Sequence, residues 1–165
     1  ARTRNPTRIE PIGLLADLNR KVLNLRDFTP RMEGCPSRNP GCKVVVIVGT
    51  SMNAGKTTTA AQLIYGLKQA NLKVGAAKVT GTGSGGDLWS MIDAGARIAL
   101  DFTDVGHATT AGVPLPRLVD VALRLIAAVS RDNDVAIIEV ADGLFQQQHD
   151  VFEQHHGVED RKSVV

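Results

Sequence analysis

The chain has 165 residues, 43% of them hydrophobic and only 4% aromatic, with a formal net charge of +2. That is one domain's worth, with a core to be built from Val, Ile, Leu and Ala. Scattered, nearly balanced charge excludes nucleic acid as an expected partner; the absence of a run of ~18 apolar residues or a charged-then-apolar leader predicts no membrane segment and a cytoplasmic location.

Residues 1–42 read as an N-terminal extension or linker. Pro6, Pro11, Pro30, Pro36 and Pro40 punctuate it, and Arg2, Arg4 and Arg8 form a solvated arm. Ile12-Gly-Leu-Leu-Ala and Lys21-Val-Leu-Asn-Leu flank Asp17-Leu-Asn-Arg, which fits a β-hairpin; a short helix is the rival, since Leu14, Leu15, Leu18, Val22 and Leu25 also fit a 3.6 period. Cys35 and Cys42 bracket a turn-rich stretch and read as two reduced thiols, too few for a four-ligand zinc site. The start at Ala1 instead of Met is expected of a chain that was processed, trimmed or cut from something longer.

From Lys43 the pattern alternates between apolar runs and amphipathic stretches. Residues 43–48 predict a strand, and 55–70 a helix with Ala60, Leu63, Ile64 and Leu67 on one face. A second strand is expected at 73–79, a glycine-rich loop at 81–86, and a short helix from Asp87 carrying Leu88, Met91 and Ile92. A third strand follows at 97–102. Pro116 opens a helix to about 131, with Leu118, Val121, Ala122, Leu125, Ile126 and Val129 inward, and 134–141 is a strongly apolar fourth strand. This order predicts an α/β fold: a mostly parallel sheet covered by helices on both faces, over residues 43–145. Ligands in such sheets bind beyond the carboxyl ends of strands, which selects 49–57, 78–87 and 139–143. Residues 146–165 form a polar tail that fits the start of a truncated region. Its His149, His155 and His156 lack a packed scaffold for a metal.

Gly49-Thr-Ser-Met-Asn-Ala-Gly-Lys-Thr-Thr58 directly follows the first strand. A strand feeding a small-residue loop that ends in Gly-Lys-Thr and opens a helix is a nest for phosphate. Gly49, Thr50, Asn53, Ala54, Gly55, Lys56, Thr57 and Thr58 are the expected nucleotide-binding residues. Lys56 would reach the β- and γ-oxygens, and the Thr57 hydroxyl would ligate Mg²⁺. The spacing departs from Gly-x₄-Gly-Lys-Ser/Thr, because Thr50 stands where glycine is required and Gly49 precedes it. Ser51 occupies the place of the signature lysine of partition-type ATPases.

With its Val/Ile strand, this loop resembles that of dethiobiotin synthetase and its cobyrinate amidase relatives, implying the three-layer P-loop NTPase fold. The strand-end Lys78, Gly85-Gly-Asp-Leu-Trp89 and Ala94-Gly-Ala96 resemble the adapter protein of molybdenum-cofactor guanylylation. In such proteins a strand-end lysine faces the phosphates and substrate, a role the resemblance implies for Lys78. Asp87, at a helix start, is a second metal candidate or an ordinary N-cap. Glu139, ending the fourth strand, is the third metal candidate, preferred over Asp101 because the run before Asp101 is shorter and less β-branched. Glu-Val-Ala-Asp-Gly at 139–143 resembles the Glu-Gly-Ala-Gly-Gly of the synthetases, with Asp142 placed to position a water or a substrate nucleophile. His107, Thr109 and Thr110 read as a flexible connection as readily as substrate contacts, and Trp89, at helical spacing from Ile92, reads as core.

The resemblance implies a synthetase-like or ligase-like NTPase with Lys56, Lys78 and Asp142 catalytic and Thr57, Asp87 and Glu139 on Mg²⁺. The expected nucleotide is ATP, since no Asn-Lys-x-Asp guanine reader is present, with GTP kept open. It would phosphorylate a small metabolite, and a homodimer is compatible with it. The rivals are a slowly hydrolysing adapter in cofactor assembly and a regulatory nucleotide-binding domain of a longer chain.

Overall fold

Among the described residues, apolar runs of four or five residues form four strands: β1 (Lys43–Ile47), β2 (Val74–Lys78), β3 (Ile98–Asp101) and β4 (Val135–Glu139). All pairings are parallel, in the order β1-β4-β2-β3. Helices α1 (Lys56–Gln69), α2 (Gly86–Asp93) and α3 (Leu115–Ser130) make the crossovers. The computed structural model describes residues 10–29, 39–51 and 53–141. Cys35, Asp142, the arginines of the N-terminal arm and the histidines of the tail lie outside these. Each element falls within a residue or two of its expected bounds; Pro116 is the second helical residue of α3, behind Leu115, with Pro114 as its cap.

Strand alternation sorts the side chains onto two faces. On one, Ala77, Ala136 and Ile138 pack against Val121, Leu125 and Val129 of α3, spaced i, i+4, i+8. On the other, Val74, Ala76, Val135 and Ile137 pack against Ala60 and Ile64 of α1 and Met91 of α2. The sheet is thus the middle of three layers, the α/β architecture that its run of parallel strands predicts. Gly75 is what lets α3 lie close on β2, since a Cβ there would come within 2.1 Å of the Val129 carbonyl oxygen. That carbonyl, near the end of α3, accepts a hydrogen bond from Asn133 Nδ2 at 2.8 Å.

Ahead of the sheet, Ala16 and Val22 form an antiparallel bridge around a turn in which Asp17 Oδ1 accepts from the Asn19 and Lys21 amides. A 3-10 turn, Leu25–Phe28, follows, closed by a capping box between Asn24 and Asp27. Ile12, Leu14, Leu15 and Leu18 are exposed on this segment. No helix among the described residues is long and apolar enough to cross a membrane.

Candidate functional site

Parallel register lines up the last residues of the four strands: Ile47 beside Glu139, Glu139 beside Lys78, Lys78 beside Asp101. Alternation turns this row to the face of α1 and α2. Both helices begin at that edge, so their N-terminal turns meet the row.

The 49–55 loop makes the junction between β1 and α1. Gly55 caps α1 with φ +83°, and Asn53 also has positive φ, +62°. Open space surrounds the Gly55 Cβ position, so glycine is required there by backbone angle and not by crowding. Lys56 is buried; its stem runs over Gly49, whose added Cβ would lie 3.0 Å from Lys56 Cγ, and its Nζ donates to the Ser51 carbonyl at 2.8 Å. One residue on, the Thr57 hydroxyl donates to Glu139 Oε1 at 3.0 Å. Thr50, Ser51, Asn53, Ala54 and Thr58 are exposed around this junction.

Glu139 is only 1% exposed, and its Oε2 has no hydrogen-bond partner among the described residues. Burial pushes its carboxyl pKa up; Lys78, the Thr57 hydrogen bond and Lys56 oppose this, while Asp87 adds to it. The result is an acid in a poorly compensated place, with one oxygen spare.

Lys78, nearly buried, forms an ion pair with Asp87 in the first turn of α2. Gly85 is the cap of that helix, not Asp87, whose carboxylate is drawn to the lysine instead. Asp101 accepts hydrogen bonds from the Thr103 amide and hydroxyl, and so closes the turn after β3 instead of joining Thr57. A cavity of about 550 Å³ opens over the edge, lined by Asn53, Gly55 through Thr58, Lys78, Asp87 and Glu139. Gly81, Thr82 and Ala141 complete its wall. These three carry no chemical signature of their own; only their position after strand ends could have singled them out.

Two expectations are corrected. Trp89 is not core: it is 64% exposed, because α2 buries the Met91 side of its short amphipathic surface. The 103–113 stretch is anchored and not a free connection: Gly81 N donates to Thr110 Oγ1 at 2.8 Å and Gly83 N to the Ala108 carbonyl at 2.9 Å. His107, within this stretch, is buried, its pKa pushed down by burial and by the charges of Arg117 and Arg26, and does not line the cavity.

No family model and no curated protein matches the sequence. Among solved structures, the chain is similar to the signal recognition particle 54 kDa protein of Aeropyrum pernix K1, in complex with GDP. The identity is 21% and the TM-score 0.49, over 78% of this chain and 28% of that one. It is also similar to the signal recognition particle receptor FtsY of Elizabethkingia anophelis, with 25% identity and a TM-score of 0.46 over 71% of this chain and 37% of that one. The chain therefore spans well under half the length of either, and a likeness at this level says nothing of function.

Proposed function

We propose that the chain binds a nucleoside triphosphate with Mg²⁺ at the carboxyl edge of its sheet. The carrying observation is the Thr57–Glu139 hydrogen bond at the start of α1, with the buried Glu139 Oε2 left over. A buried carboxylate oxygen without a partner is costly, and a divalent cation beside it would offset that cost. Mg²⁺ suits a hydroxyl and a carboxylate, because it draws its remaining ligands from phosphate and water. When bound, it supplies charge neutralisation on the phosphates.

The chain's own groups do the rest. Backbone N–H groups of the 49–55 loop and the first turn of α1 orient the phosphates. Lys56 exchanges the Ser51 carbonyl for phosphate oxygens, and Lys78 approaches from β2. Positioning and electrostatics would carry most of a phosphoryl transfer to a small metabolite, the reaction we favour. Asp142, the next residue in the sequence after Ala141, is the one expected to orient the acceptor. ATP is the expected nucleotide, since the sequence has no Asn-Lys-x-Asp stretch. The exposed Trp89 beside the Asp87 turn favours a second reading, a nucleotide-binding adapter whose partner enzyme covers that surface.

Thermal unfolding with Mg²⁺ and either ATP or GTP tests the binding step. Ligand at ~100 times its Kd adds about 2.7 kcal/mol, a rise of about 5–10 °C at this size, and Lys56→Ala removes most of it. No rise with either nucleotide overturns the reading. Phosphate release that depends on an added small carboxylate or amine separates the enzyme from the adapter.

A further inference from the structure

We propose that Asp87 is a positioning residue that stands in for phosphate: it holds the Lys78 ammonium in the free protein and surrenders it to the terminal phosphate of a bound nucleotide. The proposal rests on the nucleotide reading above and replaces the expectation that Asp87 ligates the metal.

Four observations carry it. The Lys78 side chain is 12% exposed, so its ammonium needs a counter-charge in every state of the protein. Asp87 supplies one now, and of the two partners it is the more exposed, at 35%. It can therefore turn to water when released, at little cost. Both residues line the cavity that also holds Lys56, Thr57 and Glu139, so a phosphate entering there meets the pair directly. Finally, Asp87 lies in the first turn of α2, whose N-terminal N–H groups stabilise a carboxylate with or without the lysine.

The exchange has a built-in reporter. Trp89, the chain's single tryptophan, follows Asp87 by two residues. Its indole packs over Gly85, where an added Cβ would lie 3.2 Å from Cζ2. Release of Asp87 frees the first turn of α2 and alters the solvent around this half-exposed ring.

The energetic signature falls on the free state and not on the bound one. Asp87→Asn takes from the nearly buried Lys78 the carboxylate it pairs with in the free protein, leaves it only the charge of neighbouring Glu139, and lowers that protein's melting temperature. Phosphate restores the counter-charge, so the bound state is spared. Binding is therefore tighter in the variant, since a ligand gains by its differential interaction with the two states. A residue with a merely structural role would weaken both.

The experiment is a titration of the full chain with Mg²⁺ and ATP, and separately GTP, followed by Trp89 emission and by melting temperature. The nucleoside diphosphates serve as controls. Expected are a saturable change in emission with triphosphate but not diphosphate, and about tenfold tighter triphosphate binding by Asp87→Asn despite its lower starting stability. The Mg²⁺ concentration at half-saturation stays unchanged. Lys78→Met, which needs no counter-ion, retains a nucleotide-induced melting shift but loses the emission change. Asp87→Glu restores wild-type behaviour. Weaker binding by Asp87→Asn together with a raised Mg²⁺ requirement would overturn the exchange in favour of a metal ligand, while leaving the nucleotide site standing. A missing melting shift with every nucleotide overturns both.

Discussion

The two faces of one sheet differ in kind. Towards α3, the strands and the residues just past them are apolar: Ala77, Ala136 and Ile138, then Val79 and Phe102, pack with Val121, Leu125 and Val129. Towards α1 and α2, the same strands begin apolar, with Val74, Ala76, Val135 and Ile137, and end in Lys78, Glu139 and Asp101. One residue of shift along a strand changes the face, so the chain places structure on one parity and chemistry at the end of the other. The α3 face can be optimised for packing alone. The opposite face carries buried charge and must tolerate its cost.

Substitutions on each face should break this contrast in different observables. The largest effect belongs to Leu125→Ala on the dry face, which should cost about 2–5 kcal/mol in chemical denaturation, by the loss of a fully buried side chain and the cavity it leaves. Its nucleotide affinity should equal wild type at temperatures where the variant is folded; a lost affinity would mean that the two faces are coupled. Gly75→Ala comes next, at about 3 kcal/mol, the upper end of ordinary overpacking, because its Cβ meets the Val129 backbone oxygen. A variant as stable as wild type would show that α3 shifts freely.

The smallest effect has the opposite sign. Glu139→Gln keeps an acceptor for Thr57 and removes a charge that burial disfavours, so it should raise the melting temperature of the free protein by about 2–4 °C, on the order of 1 kcal/mol. The direction follows from linkage. A carboxyl whose folded pKa is raised stabilises the fold below its ordinary value of 4.5, and that contribution is lost as pH rises through the folded value. The advantage of Gln should therefore widen as pH rises above 4.5, and melting curves across that range check it. The same variant should bind Mg-nucleotide at least tenfold more weakly, measured by calorimetry. A pH-independent gap would mean that the Glu139 charge is already compensated.

Periodicity made the layers legible, because parallel strands buried on both faces must be apolar throughout and a helix on such a sheet must be amphipathic. Glu139 sits on Thr57 while Asp101 closes a turn, a difference that follows from strand order, since β4 pairs with β1 and β3 does not. The pairing of Lys78 with Asp87 was not readable. It depends on how the first turn of α2 lies over the end of β2, and a carboxylate at a helix start looks the same whether it caps the helix, meets a lysine or meets a cation. Trp89 was misread for a related reason: in a helix of eight residues, one turn decides which side is inward, and spacing from Ile92 does not, since Ile92 is itself exposed. Gly75 left no signal, because a glycine in a strand declares the need for closeness without naming the neighbour.

The place of β4 also sets a timetable. β1 and β2 follow one another in the chain, yet β4, the last of the four to be synthesised, lies between them. Among the described residues β1 has no other strand partner, so its ladder waits for residues 135–139 to leave the ribosome. Such long-range pairing is slow and leaves edges open meanwhile. The Gly-Lys-Thr turn is thus translated well before the acid it meets, and a ligand that needs both can reward only a chain synthesised past residue 139.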